Sequence, residues 1–315
     1  MTGLQVHVIS VTYNSASTLE AFAAGLRDQG DRIGAVTVVD NGSEDGSAGV
    51  ALAALISLVP SVRVIEQGNR GFAGGYAAAV QGETDGLYVL CVNPDVRLAP
   101  GAVDDMLRVL EERSSAAIVT TPLVDSSGGD DTATRRSLPR LGGSMLYSVL
   151  GRHTPARWRY NARTDGPVEW VAGLPVSLVE ATTGALMLLA PAFRDIRTPV
   201  FDTDYWMYGE DLQLCADAAS AGLEVLVVER AASLHLKGAS SGRPRSLRSN
   251  AAFHQAMRVY VRKNLLTGSA MLRRAVDLLI LLRFIADEIR NQPAKLRKRH
   301  QRRVRARFGL PGVVT

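Results

Sequence analysis

Two acidic groups stand 116 residues apart, at Asp95 and at Asp211, and each falls where an element of regular structure would end or begin. Asn93-Pro94-Asp95 follows the apolar run Leu87-Tyr88-Val89-Leu90-Cys91-Val92, which reads as a buried strand. In an open α/β sheet ligands bind beyond the carboxyl ends of the strands, so Asp95 is placed to share a hard divalent cation, Mg2+ or Mn2+, with phosphate oxygens. Taken alone, the tripeptide reads more simply as a strand-ending turn. Glu210-Asp211 should open a helix running to about Ala221, directly after Tyr205-Trp206-Met207-Tyr208-Gly209. A helix N-terminus stabilises carboxylates. The aromatic neighbours would partly desolvate the pair and raise a carboxyl toward the range of a general base. Together the two groups suggest a metal-held diphosphate facing a base.

The elements that must position them alternate. A strand over residues 6–11 is followed by Thr12-Tyr13-Asn14-Ser15 and then by a helix, with Ser17 and Glu20 at capping-box spacing. Its apolar positions Leu19, Phe22, Ala23 and Leu26 share one face, and Gly30 is expected to end it. A strand over 35–39 closes on Asp40-Asn41-Gly42-Ser43. Another, over 62–65, leads into Asn69-Arg70-Gly71-Phe72-Ala73-Gly74-Gly75 and an Ala-rich helix reaching about Gly82. The strand over 87–92 precedes a helix over 100–112. This alternation implies an α/β fold with a mostly parallel central sheet and helices on both faces. Asn14, Asp40, Arg70 and Asp95 would then share one sheet edge. Residues 125–166, with Ser126-Ser127-Gly128-Gly129 and Arg135-Arg136, lose the pattern and read as a variable excursion. Strands are expected again over 168–171, 185–189, 223–228 and 232–236. After the turn-rich Gly238-Ala239-Ser240-Ser241-Gly242 come helices over 250–266 and 271–291. The chain thus divides into residues 1–242, with halves 1–122 and 123–242, and a helical extension 243–315 with a basic tail.

Of 315 residues, 46% are hydrophobic and 21% charged, as in an ordinary globular protein. Cys91 and Cys215 have neither metal-site spacing nor the number for a disulfide framework. No basic and apolar leader precedes Val11, so a cytoplasmic protein is expected. The net charge of +5 hides an asymmetry. Residues 290–307 carry nine basic side chains and no acid, leaving 27 basic against 31 acidic residues elsewhere, a body at −4. A general nucleic-acid-binding surface is therefore poorly supported, whereas the tail suits an anionic membrane surface. Leu278-Leu279-Ile280-Leu281-Leu282 lies between Asp277 and Arg283 and is too short to span a bilayer. These helices can pack on the body, form a homodimer or lie in the membrane interface. Neither a G-x-G-x-x-G fingerprint nor a G-x-x-x-x-G-K-[ST] loop is present, which argues against nicotinamide enzymes and P-loop NTPases.

Seven segments in order, closed by His235, resemble the family 2 inverting glycosyltransferases of the GT-A fold. They are Val8-Ile9-Ser10-Val11-Thr12-Tyr13-Asn14, Val38-Val39-Asp40-Asn41-Gly42-Ser43, Asn69-Arg70-Gly71-Phe72-Ala73-Gly74-Gly75, Asn93-Pro94-Asp95, Thr183-Gly184-Ala185, Phe201-Asp202 and Met207-Tyr208-Gly209-Glu210-Asp211. The likeness covers residues 4–242 and is greatest to the bacterial rhamnosyltransferase-like branch, where Asn-Pro-Asp replaces Asp-x-Asp. It implies a nucleotide-diphospho-sugar donor, dTDP-rhamnose or a related one, bound by Thr12, Tyr13, Asn14, Asp40, Asn41, Arg70, Gly71, Asn93, Asp95 and Gly184. It further implies a divalent cation at Asp95 and His235, Asp211 as base beside Glu210, and a glycan or polyprenyl-linked acceptor in cell-envelope synthesis at the inner face of the plasma membrane. Ala77, Ala79, Gln213 and Asp217 depart from the family pattern, which leaves open another donor such as a UDP-hexose or UDP-galactofuranose. Two rivals remain. A nucleotidyltransferase would want a Gly-rich basic loop where Thr12-Tyr13-Asn14-Ser15 stands, and a catalytically silent nucleotide-sugar-binding protein would have no need of Glu210-Asp211.

Overall fold

The β-branched run of β1 (Val6–Thr12) is buried on both faces, as a central strand of a covered sheet must be. Around it the computed structural model builds a nine-stranded sheet; the structure describes residues 5–80, 88–140, 142–143, 155, 166–196, 200–236 and 245–307. The chain continues through α1 (Leu19–Arg27), β2 (Ile33–Asp40), α2 (Ser47–Leu55), β3 (Ser61–Glu66), α3 (Gly71–Ala79) and β4 (Tyr88–Val92). The strands pair in parallel in the order β3-β2-β1-β4. Their register sets Thr12 beside Asp40 and Asp40 beside Glu66, so the loops that follow leave from one edge, as expected.

Beyond β4 the sheet is mixed. After β5 (Val96–Arg97), α4 (Ala102–Glu112), β6 (Ala116–Thr120) and β7 (Leu123–Val124) come β8 (Val168–Val171), β9 (Leu174–Val179) and β10 (Leu186–Leu189). A short helix α5 (Pro191–Ile196) precedes α6 (Glu210–Ser220), β11 (Glu224–Val228) and β12 (Ser233–His235). The sheet order is β3-β2-β1-β4-β10-β6-β11-β9-β8. β10 runs antiparallel between β4 and β6, and β9 runs antiparallel to both β11 and β8. Half the pairings are therefore antiparallel, where a mostly parallel sheet was expected. The two-residue turn at Ala172 and Gly173, both at positive φ (50° and 73°), closes a hairpin that needs no crossover helix. Strands β5, β12 and β7 form a second, small sheet.

Helices cover both faces. Leu19, Phe22 and Leu26 of α1 join Leu55 of α2 and Met106 of α4 under one face. Tyr76 of α3, Phe201 and Leu212 of α6 fill the other. Both cysteines are buried free thiols, pushed up to about 12 by burial. Ser17 does not cap α1; Thr18 holds that position without a side-chain cap, its hydroxyl donating instead to the Ser15 carbonyl at 3.0 Å. The helix ends at Asp28, and Gly30 opens a 3-10 turn rather than closing α1.

The extension comprises α7 (Leu247–Tyr260), a π turn (Val261–Leu265) and α8 (Ala270–Arg307). Ser246 caps α7 through the Ser249 amide, 3.1 Å. Ala256 and Tyr260 are buried in the same core as Leu212, while Val276 and Ile280 of α8 pack on Val261 and Leu266. Gln213, a departure from the family pattern, bonds Tyr205, Asp217 and Asn264 of the π turn. α8 does not stop near Asn291 but continues through Pro293; the Arg, Lys, Ala and Gln that follow are strong helix formers. Leu87, Gly82, the Gly238 to Gly242 joint and most of the 144–165 stretch lie outside the described residues.

Candidate active site

At the ends of β1 and β2 the loops are bound to each other. The Asn41 amide N–H donates to the Thr12 carbonyl at 2.9 Å. Asn14, in the left-handed region at φ 51°, donates from its backbone to Ser43 Oγ and accepts at Oδ1 from the Glu44 amide, both at 2.9 Å. Asp40 is buried and accepts from the Ser43 amide and hydroxyl. Asn41 is a bracket: its Nδ2 donates to the Gly71 carbonyl and its Oδ1 accepts from Gln67, both at 2.8 Å. Between these tied loops Thr12 Oγ1 is buried without a hydrogen-bond partner, Tyr13 is exposed, and Arg70 lies exposed at the start of α3. A buried orphan hydroxyl ringed by satisfied loops is what a site for a polar ligand leaves behind.

Gly71 joins this edge to the next group. Its φ is +77°, and a Cβ placed there would lie 1.8 Å from the Trp206 carbonyl oxygen, so only glycine fits. The next amide, Phe72 N–H, donates to that same carbonyl at 2.9 Å. The Phe72 ring packs against Tyr76 and Phe201 at centroid distances of 4.8 and 5.3 Å.

At the end of β4 the Asn93 amide donates to the Ala185 carbonyl, 2.9 Å, while Asn93 Oδ1 is buried without a partner. Asp95 meets His235, because β12 pairs His235 with Val96 and the Leu236 amide donates to the Asp95 carbonyl. His235 Nε2 is 3.4 Å from Asp95 Oδ1, and Nδ1 is 2.9 Å from Asp131 Oδ2. Burial opposes a charge on the imidazole, but the hydrogen bonds to Asp131 and Asp95 outweigh it and raise His235 to about 9. No cluster of three or more His, Cys, Asp or Glu side chains is built to hold a metal among the described residues. Asp95 and His235 alone still fit a cation that takes its remaining oxygens from a diphosphate: with Nδ1–H facing Asp131, Nε2 would give up its proton and offer its lone pair to a cation beside Asp95.

Gly184, two residues before β10, connects this group to Asp211. Its amide donates to Asp211 Oδ2 at 3.2 Å, next to the Ala185 carbonyl that holds Asn93. Asp211 also accepts from Arg136 Nη2, 2.5 Å, and at Oδ1 from the Leu212 amide, 2.8 Å. Two residues in the left-handed region, Tyr208 (φ 70°) and Gly209 (φ 82°), turn the chain into α6. Glu210 is 7% exposed, and its Oε2 is buried without a hydrogen-bond partner. Burial first, and the Asp211 charge second, raise it to about 8.

Two participants were not read from the sequence. Arg136 is held by paired backbone bonds to Ala181 and reaches Asp211 across 75 residues; the Arg135-Arg136 doublet was its only signal. Asp131 reaches His235 across 104 residues. A cavity of about 690 Å³ bordered by Leu138, Glu180 and Leu223 contains none of the site residues.

The profile of the family described as Glycosyl transferase family 2 matches residues 7–165. The chain is 30% identical over 254 residues to N-acetylglucosaminyl-diphospho-decaprenol L-rhamnosyltransferase of Mycobacterium tuberculosis, covering 75% of this chain and 77% of that one. It is 24% identical over 168 residues to the rhamnosyltransferase WbbL of Escherichia coli, covering 53% and 59%. Among solved structures it is similar to the mannosyltransferase PcManGT from Pyrobaculum calidifontis in complex with GDP-Man and Mn2+, with a TM-score of 0.52 and 17% identity over 96% of this chain and 80% of that one.

Proposed function

The chain belongs to glycosyl transferase family 2 and has the GT-A fold, and from that premise we propose that it moves L-rhamnose, with inversion, from dTDP-rhamnose to a hydroxyl of a polyprenyl-diphosphate-linked glycan in cell-envelope synthesis. The rhamnose is suggested by the names of both relatives and the lipid-linked acceptor by that of the mycobacterial one. The reaction would run at the inner face of the plasma membrane. The observation that carries the chemistry is the Gly184-Ala185 step, which ties Asp211 through one amide and Asn93 through the adjoining carbonyl. That tie would hold the base in register with the diphosphate end of the site.

In this reading the nucleoside lies against Thr12, Tyr13, Asn14, Asp40 and Asn41, with Arg70 and Gly71 beside it and Asn93, Asp95 and Gly184 facing the diphosphate and the sugar. Asp95 and His235 would hold Mg2+ or Mn2+, which when bound supplies Lewis-acid neutralisation of the leaving diphosphate. Asp211 takes the proton of the acceptor hydroxyl as that oxygen bonds to the anomeric carbon and the bond to the diphosphate breaks. Oδ2 accepts from both Gly184 and Arg136, and Oδ1, which accepts from the Leu212 amide, keeps a second lone pair for this. Arg136 fixes the carboxylate's orientation. Glu210 keeps its proton at neutral pH and adds no second negative charge next to the base.

Asp211→Asn should retain donor binding by calorimetry and lose about 10²- to 10⁴-fold in turnover, the range for loss of a general base. Asp95→Ala should weaken donor binding chiefly when Mn2+ is present. Wild-type turnover in the first variant, or the same metal-dependent affinity in the second, removes the corresponding role.

A further inference from the structure

α8 buries only one of its sides. Val276 and Ile280 face the body. Met271, Leu278, Leu282, Ile285 and Ile289 recur at steps of seven, four, three and four on the opposite side, all between 44% and 82% exposed. Exposed Leu279 and Leu281 widen the stripe to an apolar arc of the kind a helix normally buries. The three acids of the helix all turn inward: Asp277 to Arg258 and Arg262, Asp287 to His254, and Glu288 to Asn250. Beyond them the same helix enters the segment with nine basic residues and no acid.

Charge decides between the candidate occupants of the stripe. A second copy aligned in parallel would set two strongly basic segments side by side. An antiparallel copy would lay each basic segment along an outer face whose acids are already engaged inward. An anionic lipid surface accepts both features at once, apolar side chains below the headgroups and basic residues among them. No helix among the described residues is long and apolar enough to cross a membrane.

We propose that α8 lies in the plane of an anionic membrane, with the Met271 to Ile289 stripe inserted and the basic stretch after it on the headgroups. α7 alone separates this helix from the base-bearing loop. Ser249 bonds the Tyr208 hydroxyl at 2.8 Å, and the Arg248 guanidinium lies 4.3 Å from the Trp206 ring centre. Insertion rests on the helix itself; only its use, bringing a lipid-linked acceptor to Asp211, rests on the proposed function.

The test is co-sedimentation of the full chain with vesicles of phosphatidylcholine alone and of phosphatidylcholine with phosphatidylglycerol, at low and high salt. The wild type should bind the anionic vesicles and lose part of that binding in salt. Leu282→Glu/Ile285→Glu, at exposed positions and with unchanged melting, should bind about tenfold or more weakly. Its affinity for a nucleotide-sugar should equal that of the wild type, and a wild type that binds no nucleotide-sugar would count against the proposed function without touching the vesicle result. The proposal is overturned by equal vesicle binding of variant and wild type, by equal binding to neutral and anionic vesicles, or by absence of binding. It is also overturned if light scattering shows a wild-type dimer that the double substitution converts to a monomer, which would assign the stripe to a second copy.

Discussion

Replacing Glu210 with Gln should remove a pH dependence of stability without removing catalysis. The carboxyl is 7% exposed and is raised from an ordinary 4.5 to about 8, first by burial and then by the neighbouring Asp211 charge. Within that window the folded chain keeps a proton that the unfolded chain has released. Stability is therefore fully present below 4.5 and is lost as pH rises toward 8. At about 1.4 kcal/mol per pH unit the loss is at most a few kcal/mol, and it belongs to the upper titration of the Glu210–Asp211 pair. Gln has nearly the same shape and no proton to lose, so its curve should lack the decline. Urea unfolding of both proteins at intervals from pH 5 to 9, with the difference plotted against pH, reads the effect. Parallel curves would refute the buried, protonated Glu210. The same variant should keep turnover at neutral pH within about tenfold of wild type, and a loss as large as that expected of Asp211→Asn would move the base to Glu210.

Gly71→Ala should destabilise the protein by about 2–4 kcal/mol, the sum of left-handed strain and the lost Phe72 to Trp206 bond. A thermal melt with less than about 0.5 kcal/mol of change would mean that the loop at 206 yields freely. Asp131→Asn should weaken nucleotide-sugar affinity about 10- to 100-fold in Mn2+, as loss of a ligand-orienting partner does. Affinity without metal should be unaffected in calorimetry, and equal losses in both conditions would make Asp131 a purely structural residue.

The first four strands and their loops were legible because each joins a β-branched apolar run to a polar turn, and the parallel register then aligns Thr12 with Asp40 without further information. α2 was not legible: its sequence is apolar on every side, and only Ser47, Ala51 and Leu55, at steps of four, are buried. β9 was hidden by Pro175 within it and by a hairpin turn of Ala172 and Gly173 rather than Asn-Gly. Both candidate acids, Asp95 and Asp211, were visible in the sequence, since each follows or opens an element. Their partners were not. Arg136 and Asp131 act across 75 and 104 residues from a stretch with almost no periodicity, and only the fold brings them in. Glu210 is the buried member of the first turn of α6; burial depends on which way a first helical turn faces, and sequence neighbours do not fix that.

The loop that leads into Asp211 also has a schedule. Tyr208 stands in a left-handed conformation that costs a non-glycine residue about 1–2 kcal/mol, and what lies behind it comes from later in the chain: the Ser249 hydroxyl, the Phe253 ring and the Arg245 guanidinium. During synthesis, when N-terminal parts fold first, the sheet and α6 leave the ribosome before α7. A chain cut ahead of residue 245 thus keeps the Phe72 to Trp206 bond and the Arg136 and Gly184 bonds to Asp211 but lacks the three groups behind Tyr208. The helices made last complete the packing behind the turn that precedes Asp211, after the loops that follow β1, β2 and β4 are already in place.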